Sequence, residues 1–254
     1  MTLNGNYANL FLRRNNMLKI ENYTKIYENG KVGAKNINLH IEKGDIFAFI
    51  GHNGAGKTTT IKSIVGVLGI TEGDIFIDGI SIKNQPLEAK KRIAYIPDNP
   101  DIYESLTGVQ YVNFISDVFG VNEKTRQHLC EKYAKELEIY DVLNNPISTY
   151  SHGMRQKLAL ISALVHSPKL MILDEPFVGL DPKATFTLKK IMKDFVASGG
   201  AIFFSTHVLE VAEKLCNKVA IIKNGEIMAV GKMSEIKKDK SLENVFLEIT
   251  DAKS

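Results

Sequence analysis

The sequence predicts an α/β protein with a parallel-sheet core, an N-terminal antiparallel β-subdomain and an α-helical subdomain inserted within the core. Two observations carry that expectation. After residue 45, short apolar runs alternate with segments of helical periodicity, the pattern of a parallel sheet covered on both faces. One such run leads directly into Gly51-His52-Asn53-Gly54-Ala55-Gly56-Lys57-Thr58, which satisfies G-x-x-x-x-G-K-[ST] at every fixed position. The motif sits between a strand and a helix, the context that gives it meaning as a phosphate loop.

The elements follow in order. Met17-Leu18-Lys19-Ile20 and Ile37 to Ile41 read as strands joined through a turn at Glu28-Asn29-Gly30-Lys31. Asp45 to Ile50 is the buried strand before the loop. Ile61, Ile64, Val65 and Leu68 fall on one face of the helix behind it. Ile75-Phe76-Ile77 is a short strand between Gly73-Asp74 and Asp78-Gly79. From Asn99 to about Asn145 the pattern turns helical, with Tyr111, Phe114, Ile115 and Val118, then Leu129, Tyr133 and Leu137. A helix over Met154 to Val165, a strand over Leu170 to Leu173, a helix over Ala184 to Ala197 and a strand over Ala201 to Phe204 follow. A last helix and strand occupy Val208 to Ile222. This divides the chain into an extension at 1–16, a main domain at 17–231 whose helical subdomain spans about 99–165, and a short tail at 232–254.

Composition narrows the function. At 254 residues a substantial core is available. The 32 Lys and Arg against 29 Asp and Glu leave a net charge of +3, too slight to argue for nucleic acid. Lysines at 232, 237, 238 and 240 read as a solvated surface. Cys130 and Cys216 lack the spacing of metal or redox sites, so two inert thiols are expected. Nothing approaches the roughly 18 consecutive apolar residues that span a bilayer. In residues 1–16, Leu10-Phe11-Leu12 precedes Arg13-Arg14, the reverse of signal-peptide order; this stretch reads as a loose extension or a start-site artefact, and the chain as soluble and intracellular.

The loop has a separable reason for each residue type. Glycines at 51, 54 and 56 allow positive φ and remove the Cβ atoms that would keep a phosphate from the backbone N–H groups. Residues Gly51 to Thr58, with Thr59, lead into the helix, whose N-terminus adds free donors and a positive dipole end. Lys57 is placed for the β and γ phosphates of a nucleotide, and the Thr58 hydroxyl for Mg²⁺. The apolar strand Leu170-Met171-Ile172-Leu173 ends in Asp174-Glu175-Pro176. Open parallel sheets bind ligands beyond the carboxyl ends of their strands, so both acids reach the phosphate site, Asp174 for Mg²⁺ and Glu175 to orient and deprotonate water.

Further motifs fall in line with these. Tyr150-Ser151-His152-Gly153-Met154 precedes the helix that leads to the acidic strand, and resembles the Leu-Ser-Gly-Gly-Gln signature of ATP-binding cassette (ABC) proteins. Gly179-Leu180-Asp181-Pro182 resembles that family's D-loop, His207 its switch histidine, and Tyr27 the aromatic that stacks on adenine. The resemblance runs in order from about Met17 to Gly231, and it implies a P-loop NTPase core that takes ATP and Mg²⁺. In the family two cassettes sandwich two nucleotides head to tail. Transferred here, Ser151 and the Gly153 backbone would meet the γ-phosphate held by another subunit, helped by a helix starting near Met154. His207 would face the γ-phosphate in its own chain.

Two departures stand out. Asp98, in Ala94-Tyr95-Ile96-Pro97-Asp98, occupies the place of the family's usual glutamine, and its carboxylate is suited to a water-mediated contact with Mg²⁺. His152 and Met154 replace a glycine and the glutamine of the signature; if the glycine's φ is positive, histidine is one of the less penalised substitutes. Glu175 and His207, the residues that degenerate sites commonly lose, are both present, so hydrolysis is expected.

The resemblance implies an ATPase subunit of a membrane transporter, working at the cytoplasmic face with a separate transmembrane permease and a second ATP-binding subunit, identical or not. The variant signature, Pro97-Asp98 and the short tail point to the bacterial drug, bacteriocin and polysaccharide export branch. The competing reading is a soluble cassette ATPase acting on nucleic acid or ribosomes; such proteins carry two cassettes, a long coiled coil or a basic arm, and no nucleic acid partner is expected here. A binding module without hydrolysis is opposed by Glu175 and His207.

Overall fold

Alternating buried and exposed residues in β1 (Asn16–Ile26) and β2 (Val32–Glu42) produce an antiparallel pair joined by the turn at 27–31. β4 (Glu72–Ile77) pairs with the other edge of β1, and β5 (Ile80–Ser81) with β4, giving the order β2-β1-β4-β5. The computed structural model describes residues 16–251, so the expected N-terminal extension, apart from Asn16, lies outside the described residues.

The second sheet is built from runs that are apolar without alternation. β3 (Ile46–Ile50), β7 (Leu170–Asp174) and β8 (Ala201–Thr206) are buried at every position, as strands covered on both faces must be. With β6 (Ile93–Ile96), β9 (Lys218–Lys223) and β10 (Glu226–Lys232) they form the order β10-β9-β3-β8-β7-β6. The pairings are parallel except at the β9–β10 hairpin on one edge. Period-two alternation sorts the two faces. Ile46, Ala48 and Ile50 join the core beneath the helices, while Phe47 and Phe49 join the core shared with the antiparallel sheet. There Phe203 of β8 packs against both rings, at 5.8 and 5.3 Å between centroids.

Helix α1 (Lys57–Ile64) follows the loop but stops short of the predicted Leu68. Gly66, at φ +69°, ends it: its N–H donates to Ser63 O and that of Val67 to Lys62 O, the paired bonds of a Schellman motif. After α2 (Pro86–Lys90) and β6 comes the helical region, α3 (Gly108–Val118), α4 (Glu123–Glu136) and α5 (His152–Val165). Thr107 caps α3 in a capping box with Gln110. The apolar spacing that marks α3 as a helix does not mark its buried face. Gly108, Val112 and Ser116 turn inward, a Cβ at Gly108 would sit 2.5 Å from the Tyr150 hydroxyl, and Phe114 and Val118 are 45% and 66% exposed.

Asp181 caps α6 (Pro182–Ala197) through a 2.8 Å bond from Ala184 N–H, with Pro182 at the first helical position. α7 (Leu209–Leu215) connects β8 to β9. The expected tail contains structure that the sequence reading missed, α8 (Met233–Lys237) and α9 (Leu242–Asp251). Leu242, Val245 and Phe246 of α9 are buried in the helical-side core. Lys232, Lys237 and Lys240 pair with Glu235, Glu213 and Glu248, in keeping with a solvated surface. Cys130 and Cys216 are both buried, and burial pushes the Cys130 thiol up to about 11. Among the described residues, no helix is long and apolar enough to cross a membrane.

Candidate nucleotide site

The strand order brings the motifs together. β3 delivers the glycine-rich loop, β7 delivers the acids, and β8 lies between them, so three carboxyl ends converge. Gly54 and Gly56 have φ of +81° and +108°. Gly51 corrects the expectation that all three glycines use that freedom, because its φ is not among the positive ones. A Cβ there would sit 2.5 Å from the Ile222 carbonyl oxygen, so Gly51 is needed for the close approach of β9. At Gly56 both reasons apply, since its Cβ would also meet Gly33 O at 2.5 Å.

Lys57 opens α1 with its side chain folded back into the loop. It is 7% exposed, and its Nζ donates to Gly51 O at 2.7 Å and His52 O at 3.3 Å. Burial lowers its pKa, while the charges of Glu175, 3.9 Å away, and Asp174 act against that shift. Thr58 Oγ1 donates to Asp174 Oδ2 at 3.1 Å. The other Asp174 oxygen accepts from the Ser205 hydroxyl, and Ser205 Oγ in turn accepts the Glu175 N–H at 3.1 Å. Glu175 follows β7 at φ +50°, an uncommon conformation for a side chain of its size. Its Oε2 lies 3.0 Å from His207 Nδ1 and accepts the His207 N–H at 3.3 Å.

Lys57, Thr58 and the two acids edge a cleft of about 600 Å³, within the range of small-ligand sites, and Ser205 and His207 support the acids without lining it. Tyr27, Asn53, Gly54, Gly56, Lys57, Thr58, Thr59, Asp98, Asp174 and Glu175 line it, together with Asn29, Lys31, Val32 and Gly33. The Tyr27 hydroxyl is tied to Thr59 Oγ1 at 2.9 Å, and Gly33 makes room for its ring, since a Cβ there would be 2.6 Å from Tyr27 Cε2. Asp98 is exposed at the rim. Burial raises the Tyr95 hydroxyl to about 12, with the Asp174 and Asp98 charges adding to the shift. Gly51, His52 and Ala55 do not line the cleft; their backbone shapes it from behind, through the Lys57 bonds to Gly51 O and His52 O and the Ala55 N–H to His52 O.

Ser151 and Gly153 lie apart from this cleft. Ser151 caps α5, accepting the Met154 N–H at 3.2 Å, and the helix begins at His152, two residues earlier than expected. His152 therefore does not have the positive φ considered for it; its ring lies over the next motif, where a Cβ on Gly179 would be 2.7 Å from His152 Cδ2. Ser151 is exposed, so this helix end is open to a partner.

Two sets of residues escaped the sequence reading. Ser205 bridges Asp174 and Glu175, and its only sequence signal is a hydroxyl at the end of an apolar strand two residues before His207. Asn29 and Lys31 of the β1–β2 turn, with Val32 at the start of β2, form a wall. Chemically, the cradle of glycines, buried lysine and helix N-terminus fits a polyphosphate. Thr58 and Asp174 offer the hard oxygen donors that suit Mg²⁺.

The comparisons agree with this geometry. A family model described as ABC transporter matches residues 34–178. The ABC-type transporter ATP-binding protein EcsA of Bacillus subtilis (strain 168) is 33% identical over 239 residues, covering 92% of this chain and 96% of that protein. The linearmycin resistance ATP-binding protein LnrL of the same organism is 30% identical over 220 residues, 87% and 70% of the two chains. A solved ATP binding subunit of an ABC transporter superposes with a TM-score of 0.88 at 31% identity, covering 92% of this chain and 99% of that one.

Proposed function

This chain belongs to the ABC transporter family of ATP-hydrolysing cassettes, and from that membership we propose that it powers a membrane exporter, pairing on ATP and reopening after hydrolysis to drive a separate permease. The observation that carries this reading is the division of the site. Loop and acids share one cleft, with His207 held against Glu175 beside it, whereas Ser151 and Gly153, at an exposed helix end, stand outside it. A second cassette placed head to tail would present that helix end to the γ-phosphate, and ATP would then favour the closed pair by binding it better than the open chains.

In hydrolysis Glu175 orients a water and takes its proton as the water oxygen bonds to the γ-phosphorus and the bond to the bridging oxygen breaks. His207 holds the Glu175 carboxylate through the 3.0 Å contact. Lys57 neutralises charge on the β and γ phosphates, and Tyr27 offers its ring to the adenine. Thr58 and Asp174, with Asp98 at the rim, would hold Mg²⁺, which supplies charge neutralisation on the phosphates.

Docking to a permease is supported by the outward face of α3. Phe114 and Val118 are exposed there and Tyr103 (61% exposed) meets the Phe114 ring edge-on at 5.7 Å, while Tyr111 and Ile115 of the same helix line, with Tyr95 and others, a second cleft of about 290 Å³ between α3, α5 and β6. Export draws support from the name of the similar resistance protein. The test is recovery of partners by the tagged chain from detergent-solubilised membranes of its host. Recovery of a polytopic membrane protein, reduced by Val118→Glu, supports the proposal; recovery of ribosomes or nucleic acid without such a protein favours the soluble ATPase instead.

A further inference from the structure

The two halves of the phosphate loop are anchored differently. The C-terminal half is held by backbone, since Gly225 N–H donates to Ala55 O at 2.8 Å and Gly56 lies against Gly33. In the N-terminal half, residues 52 to 54 are exposed. Besides the Lys57 bonds to Gly51 O and His52 O, this half is anchored from outside the loop by Phe246 of α9, whose ring centroid is 4.8 Å from that of His52 with the planes inclined by 59°. Such tilted aromatic contacts are favourable beyond the area they bury.

Phe246 is itself well fixed. It is 6% exposed, and α9 is secured at its start by Leu242 N–H to Glu213 Oε2 at 2.9 Å and near its end by Lys223 Nζ to Thr250 O. His52 in turn is close to the chemistry through its backbone. Its carbonyl accepts both the Ala55 N–H at 3.1 Å and Lys57 Nζ at 3.3 Å. A displacement of the His52 ring would therefore move a carbonyl that meets the phosphate-binding lysine.

We propose that Phe246 is a positioning residue for the phosphate loop: by holding the His52 ring it sets the first turn of the loop, so that docking of α9 and nucleotide binding favour one another. The coupling is reciprocal by linkage, so nucleotide should steady α9 as much as α9 favours nucleotide. The inference rests on the loop being the nucleotide site.

The test uses the full chain and ADP as the probe, with affinity measured by calorimetry in a double-mutant cycle. Phe246→Leu keeps the buried bulk and removes the ring. It should raise the Kd for ADP by about three- to tenfold, and raise the KM for ATP by more than it lowers kcat. In a His52→Ala background the same change should alter the Kd by less than about twofold, because the contact is already gone. Hydrogen exchange gives a second measure that needs no Phe246 variant: ADP should slow exchange of the α9 amides in the parent and lose that effect in His52→Ala. An unchanged Kd in Phe246→Leu, an equal factor in both backgrounds, or α9 amides indifferent to ADP would each overturn the proposal. Failure of the parent to bind ADP would overturn the site reading instead.

Discussion

The Glu175 carboxylate and the His207 imidazole face each other across the ends of β7 and β8, with Oε2 3.0 Å from Nδ1. Glu175 is nearly buried, at 13% side-chain exposure, while His207 is 57% exposed, so the histidine can respond to a ligand while the acid keeps its place. Strand pairing, which sets Asp174 opposite Ser205, brings the two together.

From this pair, Glu175→Gln should bind ATP as the parent does while kcat falls by about 10²–10⁴, the range of a general base. His207→Ala should lower kcat as well, through a less well-held carboxylate. Steady-state turnover with parallel nucleotide titration checks both. A Glu175→Gln variant that hydrolyses ATP at the parent rate would remove Glu175 from the role of base.

Ser205 is predicted to matter for stability more than its neighbour Thr58. Asp174 is 5% exposed and Ser205 is fully buried, so Ser205→Ala leaves a buried carboxylate oxygen without its donor. The cost should be about 1.5–3 kcal/mol, lowering Tm by about 3–12 °C in a chain of this size. Thr58 donates to the other Asp174 oxygen, but it is exposed and that bond is only partly buried, so Thr58→Ala should cost less, about 0.5–1.5 kcal/mol. Thermal unfolding of the two variants gives the comparison; equal Tm values would contradict it.

His166 gives the fold a pH dependence. Its ring stacks on Phe119, with centroids 3.8 Å apart and planes within 6°, and its Nδ1 is buried without a hydrogen-bond partner. Burial pushes its pKa from 6.5 down to about 4. Between those values the unfolded chain binds a proton that the folded chain refuses, so stability is intact above pH 6.5 and is lost as pH falls toward 4. The loss from this group at pH 5 should be about 2 kcal/mol. Urea unfolding at pH 7 and pH 5 should show a smaller difference in His166→Asn than in the parent; equal differences would show that His166 does not titrate this way.

The parts of the site legible in the sequence are those whose chemistry is local. The loop from Gly51 to Thr58 carries its own spacing, and Asp174-Glu175 follows an apolar run that can only be a buried strand. Ser205 was not legible, because its importance comes from β8 lying between β3 and β7, an order that local pattern does not state. Gly51 was misread for a similar reason: its need is the carbonyl of Ile222, distant in sequence. The end of α1 was readable, since Gly66 is a natural stop, but the apolar Leu68 extended the periodic pattern past it. On α3 the apolar residues Phe114 and Val118 face outward, so periodicity found the helix and not its buried side. Helix α9 was missed because Leu242, Val245 and Phe246 make a short stripe in a lysine-rich segment.

If one chain carries half of a working site, the mass of the Glu175→Gln variant must depend on nucleotide. By light scattering after gel filtration, it should be that of a monomer without nucleotide and twice that with Mg²⁺ and saturating ATP, the doubling being abolished by Ser151→Arg at the exposed end of α5. A variant that binds ATP and stays monomeric, or a dimer indifferent to both ATP and Ser151→Arg, would contradict that division of the site.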